Sequence, residues 1–154
     1  MTMQQKIQAK KSKKGFTLVE LVIVIAILAI LAAIAIPVIT TTINSAKIST
    51  MESDTASLNM LIKEAVNTSK ASITTTTWNK KTAAEATVGD VCAENGIDDS
   101  DNYYSRKIGN ATYTMVWVKV SNDDGDLRVS GEGDNAVSGD AVTDKTTIAS
   151  LGTM

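Results

Sequence analysis

Hydrophobic and polar positions divide the chain into three regimes. From Leu21 to Ile36 every residue is apolar, and the run extends from Gly15 to Ile39 with only Thr17, Glu20 and Pro37 interrupting it. From Ile48 the pattern changes to a stripe at alternating spacings of three and four: Ile48, Met51, Thr55, Leu58, Ile62, Ala65 and Ser69, widened by Leu61 and Val66. This is the signature of an amphipathic helix with one face for packing, and Lys47, Glu52, Asp54, Asn59 and Lys63 fall on its polar side. Beyond residue 72 the period shortens to two. Ala111 to Val120 alternates Tyr113, Met115, Trp117 and Lys119 with Val116, Val118 and Val120, which predicts a strand. Asn122-Asp123-Asp124-Gly125 then reads as a hairpin turn and Leu127 to Ser130 as the returning strand. Tyr103 to Ile108 is a candidate third strand.

The intervening segments are weaker. The helix is expected to fade near Ser69 to Ser72, and Thr74 to Thr77 reads as loop or extended linker. Lys81 to Ala86 is a candidate short helix. Val88 to Ile97, with Gly89 and Gly96, reads as short pieces joined by turns, and Asp98 to Asn102 as an acidic turn. The tail from Gly131 reads as loop, with one short strand expected near Thr146 to Leu151. Pro37, the only proline in the chain, should bend the first helix. The weak helix formers Thr40, Thr41, Thr42 and Asn44 make local melting there a further expectation.

As a helix, Phe16 to Ile36 would be about 32 Å long at 1.5 Å per residue, which matches the roughly 30 Å hydrocarbon core of a bilayer. Five lysines and no acid lie in residues 1–15. The positive-inside rule therefore puts the N-terminus in the cytoplasm and the remainder outside. Glu20 does not fit a plain anchor, because an acid inside a membrane helix requires a partner. If the chain were cut between Gly15 and Phe16, the new α-amine would stand four residues from Glu20, on the same helix face. Opposite charges at about 4 Å attract by roughly 4 kcal/mol at an effective dielectric of 20. The amine is either the chain's own or a neighbour's, and only a neighbour's would make Glu20 an assembly residue.

Gly15-Phe16-Thr17-Leu18-Val19-Glu20, followed by the apolar helix and Pro37, resembles the N-terminus of a type IV pilin. The resemblance covers residues 10–40 closely and the rest in architecture. It implies cleavage by a prepilin peptidase between Gly15 and Phe16, N-methylation of Phe16, pairing of Glu20 with the N-terminus of the adjacent subunit, and a helix kink at Pro37. It implies an α+β fold with a long N-terminal helix packed on a small antiparallel sheet. The expected organisation is a cleaved leader (1–15), a long helix (16–72, with a 16–39 membrane or filament-core half and a 40–72 half packing on the head) and a globular head (73–154).

The function implied is that of a structural subunit, not an enzyme. It would sit in the membrane as a single-pass protein before assembly, then join an extracellular helical homo-oligomer serving adhesion, twitching motility or biofilm formation. The prepilin peptidase, an assembly ATPase and membrane platform proteins are the implied partners. The alternative is a pseudopilin of a type II secretion or DNA-uptake system. A plain signal anchor would supply the lysines and the apolar run but not Gly-Phe-x-x-x-Glu. A secretory signal peptide cut after Ala33-Ile34-Ala35 would discard the segment and leave Glu20 unexplained.

Composition narrows the chemistry. Histidine is absent and Cys92 is the only cysteine. Catalytic triads, the usual zinc sites and an internal disulfide are therefore excluded, and neither a catalytic residue nor a cofactor nor a metal ligand is assigned. Many Gram-negative type IV pilins carry a cysteine pair. The lone Cys92 is closer to pilins of Gram-positive bacteria such as clostridia, and it is expected to be buried as a small apolar group. Residues 16–154 carry 10 basic and 17 acidic groups, so nucleic acid is not an expected partner. Asn122 to Asp126 invites a calcium-loop reading, and calcium would be a discriminator because the major pseudopilins of type II secretion bind it in the head. Counting back from Gly125 puts Val120 at the first ligand position, so a hairpin turn is the better reading. The head is small enough that it should need the face Ile48 to Val66 in its core.

Overall fold

The computed structural model describes residues 15–71, 77–82, 84–97, 100–121 and 124–153. The leader lysines, Thr74 to Thr76, Asp98, Asp99, Asn122 and Asp123 lie outside the described residues. The chain forms two compact units that divide after Thr42. One helix, α1 (Leu18–Lys70, 53 residues), contributes to both.

In the first unit α1 is an apolar cylinder, and every described residue up to Thr42 is exposed. Pro37 lies inside the helix, which runs on without the melting expected there. Proline supplies no N–H to the preceding turn. The threonines that follow add hydroxyl donors at that point. Thr40 Oγ1 donates to Ile36 O (2.9 Å), and Thr41 and Thr42 both donate to Val38 O (2.8 and 2.9 Å). Residues weak in helix propensity here back-bond to the helix itself.

In the second unit α1 buries Met51, Thr55, Leu58, Ile62, Ala65 and Val66, the stripe read from the sequence. The apolar ones, all but Thr55, join one cluster with Val88, Val91, Cys92, Met115, Trp117, Leu127, Ile148 and Leu151. The sheet lies opposite. β3 (Ser105–Ile108) pairs antiparallel with β4 (Ala111–Ser121), and β4 with β5 (Asp124–Ser130). The short β6 (Asp140–Ala141) pairs with Val116 and Trp117 of β4. The alternation along β4 works as expected: Met115 and Trp117 enter the core with their cross-strand neighbours Val129 and Leu127.

Several weaker readings are corrected. Lys81 to Ala86 is not a helix. β1 (Thr77–Trp78) and β2 (Lys81–Thr82) form a tight hairpin instead, with Asn79 and Lys80 at positive φ (49° and 64°). The helix comes later, as α2 (Val88–Glu94), in the stretch read as turns. Thr87 and Asp90 close a capping box there, a Thr-x-x-Asp spelling that offsets the glycine at position 89. Asp101 and Asn102 open α3 (Asp101–Tyr104) rather than an acidic turn. Near the C-terminus the expected strand is α4 (Ile148–Thr153), which buries Ile148 and Leu151. Only Thr147 makes a β-bridge, to Thr87.

The polar face of α1 is also corrected. Asp54 pairs with Arg106 and Lys63 with Asp126, and the Asn59 side-chain oxygen accepts from Leu127 N at 2.9 Å. These residues flank the apolar stripe and reach the sheet. Asn59 thereby satisfies an outward N–H of the edge strand β5, a group that would otherwise invite pairing.

Asp90 ties the hairpin to α2. Its carboxylate accepts from Lys81 Nζ (2.8 Å), Asn79 Nδ2 (3.0 Å) and Thr87 N (2.9 Å). Burial pushes this carboxyl up, but the Lys81, Thr87 and Asn79 hydrogen bonds outweigh it and hold Asp90 well below the usual range. Cys92 is buried, with Sγ 3.4 Å from the Tyr104 hydroxyl. The neighbouring Tyr103 phenol is pushed up to about 12 by burial and then by the Asp54 carboxylate.

Candidate functional site: the start of the long helix

Gly15, Phe16, Thr17 and Glu20 line one hollow at the beginning of α1. Leu21 N donates to Thr17 O at 3.2 Å, so Thr17 stands at the helix boundary. Its hydroxyl accepts from Glu20 N (3.2 Å), while Glu20 Oε2 accepts from Thr17 N (2.9 Å) and Thr17 Oγ1 (3.1 Å). The pair is a capping box, in which the carboxylate satisfies the N–H of Thr17 and the Thr17 hydroxyl satisfies the N–H of Glu20. A negative charge in the first turn is also favoured by the helix dipole.

The partner of Glu20 in this chain is therefore Thr17, which the sequence reading passed over. The signal was present, because Thr17-Leu18-Val19-Glu20 spells the S/T-x-x-E box just ahead of an apolar run. Phe16 is 87 % exposed and makes no cover for the carboxylate. At Gly15 an added Cβ would meet no atom of a described residue within 4 Å. Gly15, Phe16 and Glu20 thus share one place, whereas Pro37 lies 17 residues beyond Glu20 along α1.

From Leu18 to Ile39 the apolar side chains are exposed, with no described residue covering them. Val22, the least exposed of the large ones in this range, is still 48 % exposed. A helix this long and apolar is able to cross a membrane by length and composition. Singly exposed apolar residues are ordinary, but a contiguous apolar surface on all sides of a helix marks a segment made for lipid or for other chains.

Residues 10–36 match the family model of the prokaryotic N-terminal methylation motif. The chain has the N-terminus of a type IV pilin-like prepilin. No curated protein and no solved structure matches it. The prepilin leader implies processing by a prepilin peptidase and handling by pilus-type assembly machinery. The apolar helix fits single-pass membrane anchoring. A long apolar N-terminal helix followed by a small antiparallel sheet also matches the pilin fold. The motif supports a protein of type IV pilin or pseudopilin type. Among the described residues, no three His, Cys, Asp or Glu side chains gather as a metal site.

Proposed function

We propose that the chain is a subunit of a type IV pilus, cleaved between Gly15 and Phe16, methylated at Phe16, and assembled through α1 into an extracellular filament. The observation that carries this reading is the union of the methylation motif with an apolar helix whose side chains are exposed and covered by no described residue. Before assembly that cylinder rests in the membrane. In the filament it meets identical helices, so apolar contact is kept from one environment to the next.

Glu20 gives the transfer direction. In the single chain its carboxylate is satisfied by Thr17. In a filament core a buried carboxylate is tolerated only with a charged or well hydrogen-bonded partner. The free amine of a neighbour's Phe16 is such a partner, and cleavage creates it. Gly15 supports the processing role from another side. No described residue packs where a side chain at Gly15 would stand, which fits a small residue there serving the peptidase rather than the fold. The assembly ATPase and membrane platform proteins are the remaining proposed partners, and the role is structural rather than enzymatic.

The methylation motif is shared with pseudopilins of type II secretion and DNA uptake, and the acidic exterior disfavours the latter. The test is the intact mass of protein sheared from the cell surface, together with a Glu20→Ala variant. A product running from Phe16 to Met154 plus one methyl group, in a filament fraction, is expected. Glu20→Ala should be cleaved normally and yield no filaments. Surface filaments at normal abundance from that variant would refute the inter-subunit role of Glu20.

A further inference from the structure

The triplet Asn-x-Ser/Thr, with x other than proline, is the acceptor spelling for sugar transfer to an asparagine side chain, and it belongs on an exposed surface. The sequence contains it twice, as Asn67-Thr68-Ser69 and as Asn110-Ala111-Thr112. Neither triplet takes part in the processing or assembly described above, and the fold gives the two opposite geometries.

Asn110 stands in the two-residue turn between β3 and β4, whose last pair is Ile108 with Ala111. Gly109, the other turn residue, takes φ +64°, a conformation that favours glycine. It packs beside α1, where an added Cβ would lie 2.9 Å from Asn44 Nδ2. The turn is thus seated on the helix, and Asn110 follows as its exposed tip. Side chains alternate along a strand, so positions 110 and 112 share a side. Thr112 is also exposed. Its backbone N–H is held by Glu132 Oε1 at 3.3 Å, whereas no described residue bonds its hydroxyl or the Asn110 amide. Amide and hydroxyl are therefore presented together on one face.

Asn67 lies inside α1. On a helix, positions i and i+2 do not face each other, so Asn67 and Ser69 diverge. The backbone there is also committed: Asn67 O accepts from Ala71 N at 3.0 Å, and Thr68 Oγ1 donates to Glu64 O at 2.8 Å. The spelling demands both an amide and a hydroxyl, so an enzyme that reads it must meet the two together. Only the second triplet offers them that way.

We propose that Asn110 carries an N-linked oligosaccharide and that Asn67 does not. The inference rests on the reading above only in that the second unit is exported. The donor is an oligosaccharide held on a polyprenyl diphosphate. Transfer forms the bond between the anomeric carbon and Asn110 Nδ2, breaks the bond from that carbon to the phosphate oxygen, and leaves one amide proton with the departing diphosphate. Nothing is oxidised or reduced.

The test is mass spectrometry of the full chain recovered from the surface of its own cells, intact and after trypsin. Trypsin separates the two triplets, into Glu64–Lys70 and Ile108–Lys119. Ile108–Lys119 is expected to be heavier than its sequence by whole sugar residues, and Glu64–Lys70 to have its plain mass. Asn110→Gln and Thr112→Val should each abolish the increment, and Thr112→Ser should retain it, all at unchanged subunit level because both positions are exposed. A plain mass for Ile108–Lys119 from the wild-type chain overturns the proposal. So does an increment that survives Asn110→Gln, which would place the sugar on a hydroxyl. An equal increment on Glu64–Lys70 also overturns it, since spelling rather than geometry would then decide. The N-terminal peptide of the same digest keeps the two readings apart. A chain that begins at methylated Phe16 and bears no sugar at Asn110 sinks this inference alone, and a chain that begins elsewhere sinks the pilus reading.

Discussion

Ile62→Ala probes the claim that the second half of α1 belongs to the core of the head. Ile62 is 0 % exposed and lies among Leu58, Ala65 and the residues of the sheet and α2. Removing a buried isoleucine down to alanine costs about 2–5 kcal/mol, the lost transfer energy plus the cavity left behind. The upper half of that range applies where neighbours cannot collapse. Here the cavity wall is a rigid helix held to the sheet on both flanks, by Asp54–Arg106 and by Asn59 and Lys63 to β5. We therefore expect about 4 kcal/mol, a large share of the 5–15 kcal/mol that holds a typical domain together. The control is Met60→Ala, two residues away but 74 % exposed, for which the change should stay within about 0.5 kcal/mol. Urea and thermal unfolding of a fragment from Ile43 to Met154, the second compact unit, provide the assay. A midpoint shift on the order of 10 °C or more is expected for Ile62→Ala. Equal effects at the two positions would refute the packing assignment. So would a fragment starting near Ser72 that unfolds as cooperatively, and at the same temperature, as one starting at Ile43.

Three further outcomes are expected. Asp90 has its carboxyl held below the usual range in the fold, so the stability it contributes is present above the unfolded carboxylate value of about 3.9 and is lost as pH falls below it. Asp90→Ala should cost about 2 kcal/mol at neutral pH through the lost cap and hydrogen bonds, and should flatten the acid limb of a stability–pH profile. Gly125→Ala would place a Cβ 2.3 Å from the Trp117 ring and is expected to destabilise by about 1–3 kcal/mol through overpacking, checked by the same unfolding assay. Gly15→Trp should fold and reach the membrane unchanged, since the site is open, yet retain the leader. A mature-sized product on a gel would refute cleavage at that bond.

Where the signal was one-dimensional, the sequence by itself determined the outcome. The apolar run, its bilayer length, the Gly-Phe-x-x-x-Glu spelling, the amphipathic stripe from Met51 to Val66 and the β4–β5 hairpin each depend on residues close together in the chain. Period and local chemistry suffice for such features. The capping box of Thr17 and Glu20 was of the same kind and equally legible.

Tertiary structure decided what depends on residues far apart. Lys63, Asn59 and Asp54 carry polar side chains that a helical wheel assigns to solvent, and only the arrival of β3 and β5 beside α1 turns them into attachments. The tail around Ile148 is short and β-branched at its start, so its local preference is weak. It becomes helical because Ile148 and Leu151 are three residues apart and bury together against the core. Likewise the Trp78 hairpin needs the Asp90 carboxylate from another element to hold Asn79 and Lys81 in place. The first unit shows the converse: no described residue packs on its apolar side chains, so the described fold does not decide what covers them.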